Sequence, residues 1–204
     1  MNKNNQLSKG ILVLFFIFFG MCNAQAQVTF KPGLRAGANF SHFTEGDDYY
    51  YDGEDNSDTR RFDNYSSITR FYVGFYGALK LAKHYTLQPE INYSAQGSDY
   101  TAPERSGNFK VDYLCLQIMN KFTFADRFNV HLGPTLEFVV DKNFNVESDV
   151  DLAFVLGTGI NITPNFGIEL RVKKGIVPVI DFLDNNSHSN VVFSVGGTYT
   201  FDVK

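Results

Sequence analysis

The sequence predicts an all-β fold: an eight-stranded antiparallel up-and-down transmembrane β-barrel, preceded by a cleaved signal peptide. Three observations lead there. The N-terminal 26 residues have the build of an export signal. Aromatic, β-branched and Leu residues then recur at every second position along eight segments. The connections between those segments alternate between short and long, as in outer-membrane barrels.

In the N-terminal segment, Lys3 and Lys9 precede an unbroken apolar run, Ile11 to Phe19, and Ala24-Gln25-Ala26 offers small residues where a signal peptidase needs them. The apolar run falls short of the roughly 20 residues that span a bilayer, which argues against an uncleaved anchor. Met21 sits where a small residue would precede a lipidated Cys22. Cleavage is therefore expected before Gln27, giving domains 1–26 (signal peptide) and 27–204 (barrel). The remaining 178 residues carry 16 basic and 22 acidic side chains, because Lys3 and Lys9 leave with the signal. That acidic balance excludes nucleic acid as a partner. Cys115 is left alone, so an internal disulfide is excluded as well.

The strands follow in order. The first is expected over Phe30–Phe43. In the second, Phe71, Val73, Phe75, Leu79 and Leu81 alternate with Arg70, Tyr72, Gly74, Tyr76, Ala78 and Lys80. In the third, Tyr85, Leu87, Ile91 and Tyr93 alternate with Thr86, Gln88, Glu90, Asn92 and Ser94. The fourth covers Phe109–Phe124. The fifth sets Phe128, Val130, Leu132, Leu136 and Phe138 against Asn129, His131, Gly133, Thr135 and Glu137. The sixth sets Val150, Leu152, Phe154, Leu156 and Ile160 against Asp151, Ala153, Gly157, Gly159 and Asn161. The seventh runs through Phe166, Ile168, Leu170 and Val172, opposed by Gly167, Glu169, Arg171 and Lys173. The eighth runs through Val191, Phe193, Val195, Tyr199 and Phe201. Short turns are expected near Lys83-His84, Ala125-Asp126 and Thr163-Pro164-Asn165, and long loops over 44–69, 99–108, 141–149 and 175–190. All long loops then lie at one end.

Alternation alone fits a soluble lipocalin-like ligand binder as well, with its apolar phase inside. Here the polar phase interleaves glycines with isolated charges of both signs, which suits a narrow lumen. Arg35, Lys80, Glu90, Lys121, Glu137, Asp151, Glu169 and Arg171 are expected as structural lumen charges, since inward charges must pair. Tyr85, Tyr93, Tyr199 and Phe201 near strand ends fit an interfacial girdle. Pro89 and Pro134 fall inside strands, where a closed barrel has no edge to hide a missing N–H; a bulge or local widening is expected at each.

Several segments together resemble a known group. They are Pro32-Gly33-Leu34-Arg35-Ala36-Gly37-Ala38-Asn39-Phe40-Ser41, Leu87–Gly97, Val111-Asp112-Tyr113-Leu114 leading to Lys121-Phe122, His131-Leu132-Gly133-Pro134, Phe154–Gly159 and Val195–Phe201. In this order, over almost the whole mature chain, they resemble the PorT-like outer-membrane β-barrel family. Two departures stand out: Leu116-Gln117 where the family reads Ile-Pro, and Asp202-Val203-Lys204 after Phe201. The resemblance implies a fold and a place in the outer membrane, not an activity.

No catalytic, cofactor-binding or metal-binding residue is assigned. The four histidines, His42, His84, His131 and His188, lack ligand-like spacing. The inward carboxylates could act as acid/base pairs, but cations of comparable number accompany them, and pairing is the expectation. An eight-stranded barrel is filled by its own side chains, so diffusion of solutes is not expected. The segment 44–69 is the outlier, with eight acids, only Arg60 and Arg61 as bases, and Tyr49-Tyr50-Tyr51. Its acids lack EF-hand spacing, so a solvated loop is expected rather than a Ca²⁺ site. The function expected is a non-enzymatic envelope-structural or surface-interaction role through the loops; an accessory component of a protein-secretion or transport machine is the alternative. Expected partners are outer-membrane lipid, the barrel-assembly machinery during biogenesis, and an envelope protein or glycan at the loops, with the barrel itself a monomer.

Overall fold

The computed structural model describes residues 28–43, 64–102, 105–144, 148–176, 180–182, 186–188 and 190–203. The expected signal peptide and residues 44–63 of the acidic segment lie outside the described residues. Eleven strands are found among the described residues: β1 (Thr29–Phe43), β2 (Asn64–Ser66), β3 (Ile68–Ala82), β4 (Tyr85–Ala102), β5 (Arg105–Phe124), β6 (Phe128–Lys142), β7 (Val150–Asn161), β8 (Phe166–Gly175), β9 (Ile180–Phe182), β10 (Asn186–His188) and β11 (Asn190–Thr200).

Eight of them close a ring. β1, β3, β4, β5, β6, β7, β8 and β11 pair antiparallel in that order, and β11 returns to β1 from Gly33↔Thr200 to Phe43↔Asn190. This is the up-and-down meander, and every barrel strand finds both partners, so no edge is left open. The short strand β2 adds to β4 beyond the reach of β3, and β9 and β10 make a small hairpin between β8 and β11.

The sequence periodicity sorts the faces. Phe75 and Ile118 are 65% and 53% exposed and point outward with Phe71, Val73, Ile91, Leu116, Leu136, Phe154 and Leu170. Their neighbours Tyr72, Tyr76, Glu90, Gln117, Glu137 and Arg171 are buried in the lumen. An apolar outside around a polar inside is the face assignment of a membrane barrel, and the reverse of a lipocalin-like cavity.

The turns are set locally. Ala125 and Asp126 both have positive φ (49° and 57°), and the Arg127 amide donates to the Phe124 carbonyl at 3.2 Å, a type I′ reversal that matches the twist of the flanking strands. The Thr163 hydroxyl accepts the amides of Asn165 and Phe166 at 3.3 and 2.9 Å, closing the β7–β8 turn.

One expectation is corrected and another is narrowed. The long loop over 99–108 is not there: β4 and β5 continue to Ala102↔Arg105, and only residues 103 and 104 separate them. Strict alternation of short and long connections therefore fails at this one place. Asp99, Ser106, Gly107 and Asn108 favour turns, but each is held in a ladder already 14 pairs long below it. At each proline, where the sequence predicts a bulge or local widening, there is a local gap in the pairing and no bulge. The β3–β4 ladder skips Gly77 and Ala78 beside Pro89, and the β5–β6 ladder skips Ile118 and Met119 beside Pro134, with unchanged register on either side of both gaps. A missing N–H deletes a bond without inserting a residue. Register shifts occur elsewhere in the same two ladders, at Lys80/Ala82 and Asp112/Tyr113.

Candidate functional site

The lumen is the candidate site, and Glu90 on β4 is its centre. Arg171 on β8 donates from Nη2 to Glu90 Oε1 at 2.8 Å and from Nη1 to Oε2 at 2.9 Å. Arg35 on β1 donates from Nη1 to the same Oε2 at 2.8 Å, and its Nη2 lies 2.6 Å from Glu169 Oε1. Arg171 also reaches Glu169 at 3.1 Å and Gln117 at 3.2 Å. Gln88 and Asn92, two residues to either side of Glu90 and so on its face of the strand, donate to it at 2.8 and 3.2 Å. Two arginines and two glutamates thus share one network of charge-assisted bonds. It offsets the several kcal/mol that each buried ion costs in desolvation.

Tyr72 packs against this network from its loop-end side. Its ring lies 4.5 Å from the Arg35 guanidinium carbon and over Gly37 and Gly196. A Cβ on Gly196 would come within 2.2 Å of the Tyr72 hydroxyl and 2.3 Å of the Ala36 carbonyl oxygen, so glycine is what lets the aromatic ring lie flat on the wall.

A second cluster sits one level nearer the loop end. Lys173 Nζ pairs with Glu137 and donates to Gln96 Oε1 at 2.9 Å, while Asn190 Nδ2 donates to the same oxygen. The Tyr113 ring lies 5.5 Å from the Lys173 ammonium, and Asp151 is buried nearby. Between the two clusters a cavity of about 30 Å³ remains, bounded by Arg35, Tyr72, Asn92, Glu137 and Lys173. That is space for about two water molecules and no solute.

Of the eight sequence-predicted charges, Arg35, Glu90, Glu169 and Arg171 meet in the first cluster and Glu137 lies in the second. Asp151 is buried in the lumen, paired in register with Glu137. Lys121 is half-buried on the luminal face, opposite Thr86 and His131. Lys80 is a correction: it is exposed, three residues ahead of the turn at Lys83-His84, where water solvates its ammonium. Sequence reasoning missed Lys173 as a member, although it shares the phase of Glu169 and Arg171. It also missed the amides Gln88, Asn92, Gln96 and Gln117, whose luminal phase was the only available signal.

Two further polar groups mark the ends. At the loop end, Asp112 accepts from both Arg70 and Tyr93. At the turn end, Asp202 accepts from Lys31 Nζ at 2.7 Å and Asn165 Nδ2 at 2.9 Å, and these donors hold its carboxyl below the usual carboxylate range.

The described residues bring together no group of three residues that could hold a metal ion. His131 Nδ1 meets Asn129 at 3.1 Å, and its Nε2 lies 4.0 Å from Glu169, with no hydroxyl or thiol between them.

Charge is distributed by level. The lumen is balanced, with Arg35, Lys121, Arg171 and Lys173 against Glu90, Glu137, Asp151 and Glu169. By sequence, the segments 44–70, 99–112, 141–149 and 174–189, which join strand ends opposite the short turns, together hold sixteen acids and seven bases. The turn end is basic, with Lys31, Lys80, Lys83 and Arg127 against Asp126 and Asp202.

Comparison with known proteins agrees with this geometry. Residues 23–181 match the family described as outer membrane protein beta-barrel domain. Neisserial surface protein A is similar in fold, with a TM-score of 0.52 and 13% identity, covering 83% of this chain and 97% of that one. The outer membrane protein OprG from Pseudomonas aeruginosa also has a TM-score of 0.52 and 13% identity, covering 88% of this chain and 99% of that one. No curated protein matches the sequence.

Proposed function

The chain belongs to the outer membrane protein beta-barrel domain family, and we propose that it is a non-enzymatic outer-membrane protein that works at the cell surface through its acidic loop end. One observation carries this reading: the charge is neutralised in the lumen and left unbalanced on the loops. Each luminal carboxylate of the first cluster is engaged by guanidinium groups, which removes it from acid/base work. Among the described residues, side chains fill the lumen between the two clusters down to a cavity of about 30 Å³, as suits a barrel of eight strands. The loop-side excess of nine negative charges is free to act on what approaches from outside. The partner class it favours is a protein surface or ligand carrying clustered positive charge, and the tyrosines at 49–51 supply the kind of side chain that anchors contacts. The motif set shared with the PorT-like group supports a narrower placement inside the family.

The test is binding of a polycation, poly-lysine, to the barrel reconstituted in vesicles of neutral lipid. Full-length protein should bind it at low salt and release it as ionic strength rises through roughly 0.1 to 1 M, where the screening length falls from about 10 to 3 Å. A variant with the eight acids of residues 45–63 changed to their amides should lose most of that binding. Equal binding by both proteins would sink the proposal.

A further inference from the structure

Six of the eight seams of the ring are continuous hydrogen-bonded ladders among the described residues: β1–β3, β4–β5, β6–β7, β7–β8, β8–β11 and β1–β11. The two interrupted seams, β3–β4 and β5–β6, are the two outer seams of a single hairpin, β4–β5. Both gaps lie at one level, because Pro89 pairs with Ile118, and the register from Gln117↔Thr135 to Asn120↔Leu132 sets Ile118 opposite Pro134. Both seams also carry a register shift. Inside the hairpin, by contrast, 18 consecutive pairs run from Tyr85↔Phe122 to Ala102↔Arg105. Outside, a groove of about 840 Å³ crosses both seams at the proline level, lined by Phe75, Pro89, Ile91, Ile118, Pro134 and Leu136.

Beside the eight pairs left in the β3–β4 ladder and the twelve in β5–β6, side chains bind this hairpin to the rest of the wall across the lumen. Glu90 is held by Arg35 and Arg171, Gln117 by Arg171, and Gln96 by Lys173 and Asn190. Nearer the loops, Asn39 donates to Ser94 and the Ala95 carbonyl at 2.9 and 3.0 Å, and Ser41 bonds both backbone groups of Gly97 at 2.8 Å.

We propose that the β4–β5 hairpin is a leaf of the barrel wall that opens as a unit, hinged at interrupted seams beside Pro89 and Pro134 and latched from inside by Arg35 and Arg171 on Glu90. Opening the leaf joins the polar lumen to the apolar groove outside, at the middle of the wall. The latch is polar and the hinge is backbone, so the two can be changed separately.

Amide hydrogen exchange of the full barrel in lipid nanodiscs tests this. Amides facing the β3–β4 and β5–β6 seams should exchange roughly tenfold or more faster than those of β7–β8 and β8–β11, while the β4–β5 ladder stays protected. Glu90→Gln should raise exchange at the two seams and leave β7–β8 unchanged. The double variant Pro89→Ala/Pro134→Ala restores the two missing donors without touching the lumen, and should slow both seams. The heat-dependent gel shift of each variant shows that it has folded. Equal exchange around all eight seams overturns the leaf. So does a Glu90→Gln effect spread evenly around the ring, or seams left as fast as before in the proline variant.

Discussion

Glu90 and Arg171 meet across the lumen from β4 and β8, separated by 81 residues of sequence, in a two-point ion pair with contacts of 2.8 and 2.9 Å. The planar fork of the guanidinium matches the two carboxylate oxygens, and its Nη2 still reaches Glu169. Arg171→Lys keeps the charge and loses the fork, and is expected to cost about 1.5–3 kcal/mol, the range for hydrogen bonds to charged groups. Arg171→Met leaves two glutamates facing Arg35 alone and should cost about 3–5 kcal/mol. Urea unfolding followed by the unheated gel mobility measures both, and an Arg171→Lys midpoint equal to that of the parent would show that the fork contributes nothing.

Gly196 and Gly197 are neighbours with opposite tolerance. A Cβ on Gly196 points into the lumen against the Tyr72 hydroxyl and the Ala36 carbonyl oxygen, whereas one on Gly197 meets the Phe166 ring at 3.3 Å on the outer face. Gly196→Ala must displace backbone and is expected to destabilise by about 1–3 kcal/mol, as overpacking does. Gly197→Ala should stay within about 0.5 kcal/mol of the parent, as surface substitutions do. The same unfolding assay separates them, and a harmless Gly196→Ala would mean that Tyr72 is not packed on this wall.

How much of this was legible in the sequence follows from which interactions are local. Period-two alternation is a property of each strand by itself, so the eight barrel strands and both faces could be read directly. Short turns such as Thr163–Asn165 carry their own signal in Pro and Asn. Which luminal charges meet is set instead by register and by stagger between strands far apart in the chain. That is why Lys80 and Lys173, both on the inward phase, ended at such different levels. Length of pairing is likewise a two-strand property: residues 99–108 looked like loop because each strand alone has turn formers there. The prolines showed where ladder bonds must fail, and only the pairing showed that both failures border one hairpin.

The β5–β6 turn contains a residue poorly suited to its backbone. Ala125 holds φ at 49°, a left-handed conformation that costs an ordinary residue about 1–2 kcal/mol. Ala125→Gly removes that strain and adds unfolded-state entropy, and the balance is expected to be a gain of about 0.5 kcal/mol. A lower urea midpoint for this variant would show that the alanine methyl makes a contact worth more than the strain.

The last residues of the barrel are fixed by a charge at the turn end. Asp202 follows β11, receives Lys31 from β1 and Asn165 from the β7–β8 turn, and lies beside the bond from the Phe201 amide to the Pro32 carbonyl at 2.8 Å. It therefore ties the closing seam at its exposed end. Its donors favour the ionised form, so its folded pKa lies below the ordinary value of 3.8. The sign follows: the tie is fully present well above pH 3.8, and it is lost as pH falls through the lower folded value. Because the carboxylate is solvent-exposed, the effect is local fraying rather than global unfolding. Asp202→Asn should speed exchange of the Thr200 and Phe201 amides at neutral pH, leaving the middle of the β1–β11 seam unchanged. In the parent protein the same amides should loosen only on acidification below about pH 4, and the variant should lack that step. An acid-dependent step that survives in Asp202→Asn would assign the tie to a different group.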